Sequence, residues 1–197
     1  MHTTAITKAD RAALENLWEA AGVWAADTWT AHNANHFDGQ LKFHGIVFGL
    51  TPHGHNLAHT SNPDGDSIQY PRITLHPALL DPRGDAWGMN LHLGARHAEH
   101  VLLHEMVHVA LFDAGIENTK DKPHHNTQEW CDQIMRISTR LGLNPIKAAP
   151  VNPRRVDGKV VRLAQDGFLS RDDLAHWPHT LMPADYYNRG GRMPVPI

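Results

Sequence analysis

Four histidines recur within HAEHVLLHEMVHVALF, residues 97–112, at positions 97, 100, 104 and 108. At 3.6 residues per turn these positions fall on nearly one side of a helix. Imidazoles spaced three or four residues apart can therefore reach one metal ion. The pair His104 and His108 differs from the other two neighbouring pairs, because a glutamate, Glu105, directly follows its first histidine. The segment thus contains an H-E-x-x-H arrangement.

This arrangement favours metal-assisted hydrolysis for a geometric reason. Two imidazoles on one helix face can occupy two positions of a tetrahedral zinc ion, and the adjacent carboxylate can take a proton from a water that the metal activates. The sequence therefore predicts one catalytic Zn2+ ion, with His104 and His108 as ligands and Glu105 as the general base. His97 and His100 are interpreted as groups that line the approach or support the ligands, with solvated helix surface as the alternative. Together with Tyr70, they are positional candidates for stabilising an oxyanion.

A catalytic zinc ion needs a third protein ligand and an open position. The metzincin pattern would place glycine at position 111 and histidine at position 114, but the chain has Leu111 and Ala114 there. That pattern is therefore excluded. The remaining candidates lie downstream, and they are His124, His125 and Glu129.

The hydrophobic spacing predicts which elements position these residues. A helix over 7–35 is expected to begin at the N-cap Thr7, and the last helix is expected to have Asn126 as its N-cap and to end at Gly142. The order of helix, strands, helix, helix predicts an α+β fold with helices packed on one side of a small sheet. The other predicted elements are strands over 43–50, 56–60 and 73–75, a helix over 93–113, a hairpin over 156–163 and a helical turn over 170–177.

The composition fits one domain with an extension: 197 residues, of which 41% are hydrophobic and 20% charged. The formal net charge of −3 excludes a globally basic nucleic-acid binder. A single cysteine, Cys131, excludes an internal disulfide framework and a cysteine-based zinc ribbon. No stretch resembles a signal peptide or a membrane span, so a cytoplasmic location, with association with the nucleoid as an option, is expected.

The C-terminal 51 residues, 147–197, differ from the rest in charge. They carry eight Lys/Arg and five Asp/Glu, a net +3, against −6 for 1–146. Basic residues mixed with aromatic ones favour contact with a nucleic-acid backbone and stacking on bases. Packing of this tail on the domain through its apolar residues is the favoured interpretation, and both can hold. The basic residues are Arg154, Arg155, Lys159, Arg162, Arg171, Arg189 and Arg192. The aromatic residues are Trp177, Tyr186 and Tyr187. The apolar residues are Leu163, Phe168, Leu174, Trp177 and Leu181.

Four segments in this order resemble the SprT-like, or Spartan-type, zinc metalloproteases: NHFDGQL, ITLHPALL, LLHEMVHVALF and HHNTQEW. The resemblance spans roughly residues 14–140. It implies that His104 and His108 bind zinc, that Glu105 is the general base, and that the third ligand comes from the His124-His125 pair. His125, next to the helix cap, is favoured. One more residue than in the family pattern separates His125 from Trp130, and the family's glutamate at the place of Glu129 is not a ligand.

The resemblance also implies a function. It predicts a zincin-like protease domain over 1–146 that cleaves protein substrates on, or crosslinked to, DNA, with single-stranded or damaged DNA as the activator. The extension over 147–197 would stand where many family members carry a zinc ribbon, with Arg154, Arg155, Lys159 and Arg162 as candidate DNA contacts. Two alternatives stay open. One is a zinc peptidase or amidohydrolase without any link to DNA, and the other is a non-catalytic zinc-containing module that binds DNA or protein.

Overall fold

Three α-helices and a three-stranded sheet form the framework of the computed structural model, which describes residues 6–49, 57–61, 71–81, 94–116, 125, 127–143, 155–156, 159–160, 168, 180–184 and 186. The α+β class predicted from the sequence agrees with this framework. The elements in chain order are α1 (Lys8–His36), β1 (Ile46–Phe48), β2 (Ala58–Ser61), β3 (Arg72–Leu75), a 3-10 helix (Pro77–Leu80), α2 (Gly94–Asp113), α3 (Gln128–Arg140), β4 (Arg155–Val156) and β5 (Lys159–Val160).

Helix α1 begins as predicted but is broken inside. Thr7 caps it: the Thr7 hydroxyl accepts a hydrogen bond from the Asp10 backbone N–H at 3.1 Å, and the Asp10 carboxylate accepts one from the Thr7 N–H. At Glu19 the backbone leaves the helical region, with φ 49° and ψ −125°. The two halves come so close there that a Cβ on Gly22 would lie 2.0 Å from the Leu14 carbonyl oxygen. Only glycine fits at this position without a shift of the backbone.

The sheet has the order β1-β3-β2, with β1 parallel and β2 antiparallel to the central strand β3. The first strand is shorter than the predicted 43–50, because pairing as a strand begins only after Gly45, whose φ of 117° is rarely adopted by other residues. The strands predicted over 56–60 and 73–75 are confirmed, with bounds at Ala58–Ser61 and Arg72–Leu75.

One face of the sheet meets two helices. Residues that lie opposite each other in neighbouring strands share a face, and Ile73 is opposite both Ile46 and Thr60. Phe48, on the same face, contacts the Trp18 ring of α1 edge to face at 5.3 Å. Thr60 contacts α2 by a hydrogen bond described below. The sheet therefore places α1 and α2 on a common side.

Helices α2 and α3 end where the sequence predicts. Gly115 and Gly142, with φ of 69° and 66°, terminate them. The N-cap of α3 is Thr127 rather than the predicted Asn126, since the Thr127 hydroxyl accepts from the Trp130 backbone N–H at 3.2 Å. Of the apolar side chains that helical spacing predicts to point inward, Ala110 is only partly buried and six are fully buried. The six are Leu103, Met106 and Val107 of α2, and Trp130, Ile134 and Ile137 of α3.

Parts of the C-terminal segment belong to the core. Phe168, Met182 and Tyr186 are buried with the helices and the sheet, and the Leu181 N–H donates to the Leu80 carbonyl at 3.0 Å. Tyr186 is only 2% exposed and lies 6.3 Å from Trp18, so its predicted role in stacking on bases is wrong. The predicted hairpin is present as β4 and β5.

Other predictions for the tail fall outside the described residues. These residues are Arg154, Arg162, Leu163, Arg171, Leu174, Trp177, Tyr187, Arg189 and Arg192, the side chains of Arg155 and Lys159, and the helical turn over 170–177.

Candidate metal centre

Three imidazoles converge between α2 and the start of α3. His104 and His108 lie on α2, and His125 lies shortly before the Thr127 cap of α3. One ring nitrogen from each lies within 4.8 Å of the others, and among the described residues these three form the group that could hold a metal ion. We call them the histidine cluster. The Nε2 atoms of His108 and His125 are 2.9 Å apart.

The spacing of the histidine cluster suits a tetrahedral ion. With Zn–N bonds of ~2.0–2.1 Å, two ligand nitrogens of a tetrahedral site are roughly 3.3–3.4 Å apart. The 2.9 Å between the two Nε2 atoms is slightly shorter than this edge, and the 4.8 Å limit for the whole cluster is longer. Small rotations of the side chains are therefore enough to bring all three nitrogens to metal-binding distance.

The indole of Trp130 packs against every member of the histidine cluster. Its ring lies 4.3 Å from that of His108 and nearly parallel to it, at 28°. The rings of His125 and His104 are 4.7 Å and 4.8 Å away. Trp130 is fully buried, so the indole forms a fixed wall that restricts rotation of the imidazoles. The sequence predicted a core residue here but not this contact, although HHNTQEW does place the indole five residues after the third histidine.

The surroundings keep His104 in the form that binds metal. Burial, followed by the neighbouring His108 and His125, holds the pKa of His104 well below its usual range. A neutral imidazole presents a lone pair, whereas a protonated one cannot be a ligand. These surroundings thus favour coordination over protonation.

Glu105 is 6% exposed and follows His104 on α2. Its Oε2 accepts a hydrogen bond of 2.6 Å from the Thr60 hydroxyl of β2. Sequence reasoning missed Thr60, because nothing in the spacing of residues connects a strand residue with a helix residue 45 positions away. The register of β2 against β3 is what brings it to the helix.

The other predicted site residues that the structure describes are not members of the histidine cluster. His97 and His100 are buried, at 3% and 6% exposure, so the alternative that they form solvated helix surface is wrong. His100 packs its ring against Phe168, at 6.4 Å. Glu129 is exposed on α3 and is not part of the histidine cluster. Tyr70 and His124 lie outside the described residues.

Cys131, the single cysteine, is buried on α3. Burial raises the pKa of its thiol, and the negative charge of the neighbouring Asp132 raises it further. A buried thiol with a raised pKa is a poor nucleophile. This environment is that of a residue packed in the core.

Comparisons of the chain with models of protein families, with curated proteins and with solved structures found no match. The resemblance to the SprT-like family therefore stays a prediction from four sequence segments. Within the described part of the chain, no helix combines the length and the apolar character needed to cross a membrane. The chemistry of the site rests on three imidazoles that could hold a metal ion and on one buried carboxylate next to them.

Proposed function

We propose that this protein is a zinc-dependent endopeptidase of the SprT-like type, with a zincin-like arrangement of α2 against the sheet. The observation that carries the proposal is the convergence of the histidine cluster beside the buried carboxylate of Glu105. Two of the three imidazoles and the carboxylate come from one H-E-x-x-H segment. The third imidazole comes from a distant segment of the chain.

Zinc is the metal that this donor set favours. Three neutral imidazoles with room for a fourth ligand are typical of catalytic zinc, whereas structural zinc sites usually have four protein ligands. When bound, zinc polarises a carbonyl and lowers the pKa of a water in its open position toward ~7. Carboxylate-rich sites for magnesium or calcium are unlike this cluster.

The residues of the site have separate roles in the reaction. The histidine cluster holds the metal, and the Trp130 wall keeps its rings in place. The Glu105 carboxylate accepts a proton from the attacking water as the new C–O bond forms at the peptide carbonyl. It returns that proton to the amide nitrogen as the C–N bond breaks. A purely structural site would have no use for this base.

The substrate part of the proposal is that the protein cleaves proteins bound or crosslinked to DNA, with DNA as the activator. It is supported by the resemblance to the SprT-like family and by the net +3 charge of 147–197. A cytoplasmic location with access to the nucleoid is part of this proposal.

The decisive experiment compares the wild type with Glu105→Gln, which keeps the shape of the side chain but removes the base. Both proteins, loaded with one equivalent of zinc, are incubated with a DNA-binding protein, with and without single-stranded DNA. We expect cleavage by the wild type only with DNA, and a rate for Glu105→Gln that is lower by about 100-fold or more. The exposed Glu129→Gln variant is the control and should cleave like the wild type.

The other outcomes separate the alternatives. Cleavage that does not need DNA would favour a peptidase or amidohydrolase unrelated to DNA. Equal results for the wild type and Glu105→Gln, with both retaining zinc, would contradict the catalytic role and leave a zinc-containing binding module.

A further inference from the structure

A hydrogen bond joins the sheet to the proposed general base. The Thr60 hydroxyl donates to Oε2 of Glu105 at 2.6 Å, and the Glu105 backbone oxygen lies 3.4 Å from the same hydroxyl. A length of about 2.5–2.7 Å is typical of an O–H donor bound to an ionised carboxylate, and such bonds are roughly twice as strong as neutral ones. The contact is therefore of the kind that can fix the orientation of a carboxylate.

The sheet holds Thr60 in place for this contact. Thr60 lies opposite Ile73 of β3, and Ala58, on the same face, lies opposite Leu75. Ile73 and Leu75 are buried in the core, which anchors the central strand. Threonine is branched at Cβ, so few rotamers are open to it in a strand. The hydroxyl is thus carried by a rigid element rather than by a loop.

We infer that Thr60 is a positioning residue for the reaction, an inference that rests on the function proposed above. Its hydroxyl bonds to Oε2 of Glu105 and so fixes the orientation of the carboxylate that exchanges the proton between the attacking water and the leaving nitrogen. A glutamate side chain without this bond has several rotamers, and only some of them direct an oxygen to the reacting groups. Because the bond holds the glutamate in one such rotamer before the reaction, the catalytic step does not have to include the free-energy cost of ordering the side chain.

The test uses Thr60→Val, which keeps the branched shape but removes the hydroxyl, and Thr60→Ser, which keeps the hydroxyl. We expect Thr60→Val to lower kcat by about 10- to 100-fold, with KM changed by less than about threefold, because the orientation of the base and not substrate binding is lost. Thr60→Ser should recover kcat to within about threefold of the wild type. Equal kcat values for Thr60→Val and the wild type would overturn the inference.

A measurement of zinc affinity distinguishes two possible roles of Thr60, positioning of the base and support of the metal site. Thr60 does not belong to the histidine cluster, so Thr60→Val should bind zinc within about threefold of the wild-type affinity, measured by competition with a chelator. A large loss of affinity in this variant would mean that the residue supports the whole site, and the inference would be wrong.

A measurement without catalysis distinguishes failure of the inference from failure of the proposed function. In metal-free protein, Thr60→Val should lower the urea midpoint of unfolding more in the wild-type background than in a Glu105→Ala background, because only the 3.4 Å contact with the backbone oxygen remains there. Equal shifts in both backgrounds would contradict the contact. If the wild type cleaves no protein, the proposed function fails, and this comparison alone decides whether Thr60 holds Glu105.

Discussion

Single residues on α2 differ in what packs against them, although their spacing along the helix is the same. His104 and His108 face the indole of Trp130, whereas His100, one turn earlier, packs against Phe168. Helical spacing alone does not distinguish which of the histidine pairs 97/100, 100/104 and 104/108 binds the metal ion. The choice between them came from Glu105 in the sequence and is supported by the convergence with His125 in the structure.

The histidine cluster leads to a prediction about metal affinity. His125→Ala should lower zinc affinity by about 100-fold or more, because a ligand is lost and not merely a supporting contact. His124→Ala is the matched control from the same dipeptide and should leave the affinity close to that of the wild type. Competition with a chromogenic chelator measures both. A large loss for His124→Ala with none for His125→Ala would reverse the assignment of the third ligand.

Some residues of the site could be predicted from the sequence, and the reason is that they form local patterns. The H-E-x-x-H segment can be recognised because its members share a helix face. His125 was favoured over His124 as the third ligand because it lies next to the predicted helix cap. Thr60 could not be found in this way, since its contact with Glu105 depends on how a strand packs on a helix. The cap of α3 was placed one residue early, because Asn126 and Thr127 both have suitable side chains.

At the scale of elements, α1 departs most from its sequence pattern. The apolar residues Leu14, Leu17 and Trp18 repeat at helical spacing, which predicts one continuous buried stripe. Leu14 and Trp18 are buried, but Leu17 is 40% exposed, and the helix breaks two residues later at Glu19. Nothing in the type of residue 19 signals a break. The one local signal is Gly22, where the two halves meet.

The close approach at Gly22 predicts a strong effect of adding one methyl group. Gly22→Ala places a Cβ 2.0 Å from the Leu14 carbonyl oxygen, so the halves of α1 must separate. We expect the free energy of unfolding, measured with urea, to fall by about 3 kcal/mol or more, since Ala21 and Trp18 nearby are core residues.

Gly39→Ala is the matched control for this prediction. Gly39 has φ of 70°, and among the described residues no atom other than those of its chain neighbours lies within 4 Å of the place that an added methyl group would take. Only backbone strain of about 1–2 kcal/mol is therefore expected. Equal losses for the two variants would contradict the steric explanation and suggest that α1 is continuous in solution.

At the scale of the whole molecule, burial of histidines makes stability depend on pH. The pKa of His32 is lowered to about 4, chiefly by burial and then by the nearby His36 and His100, against a hydrogen bond to the Glu99 backbone that raises it. Burial also lowers the pKa values of His36 and His76. These groups are kept neutral by the fold, whereas the unfolded chain can protonate them freely.

The pH prediction follows from this difference. Between pH about 6.5 and about 4, the unfolded chain binds a proton at His32 that the folded protein does not, so stability is highest above this range and falls as the pH falls. For His32 alone, the loss between pH 7 and pH 5 is about 2 kcal/mol. His32→Gln cannot titrate, so in urea unfolding of metal-free protein it should lose correspondingly less stability over this interval. An identical loss in both proteins would contradict the low pKa of His32.

The architecture as a whole was more predictable than its details. Alternating and helical periodicities identify the α+β class, and the order of elements agrees with the structure. The sequence favoured packing of the C-terminal segment over contact with nucleic acid. Phe168, Met182 and Tyr186 pack in the core. Sequence patterns could not identify which apolar residues of the segment would do so, because short apolar stretches among prolines and glycines have no period.

His125 lies just before α3, whereas His104 and His108 lie on α2. An ion bound by all three would therefore cross-link the two helices. Such a link closes the chain between 108 and 125, and the unfolded chain lacks the assembled ligands. Above the dissociation constant, each tenfold rise in free zinc then adds about 1.4 kcal/mol to the free energy of unfolding. The persistence of the folded protein would thus follow the supply of this ion in its surroundings, and chelation would shorten its lifetime as well as stop cleavage.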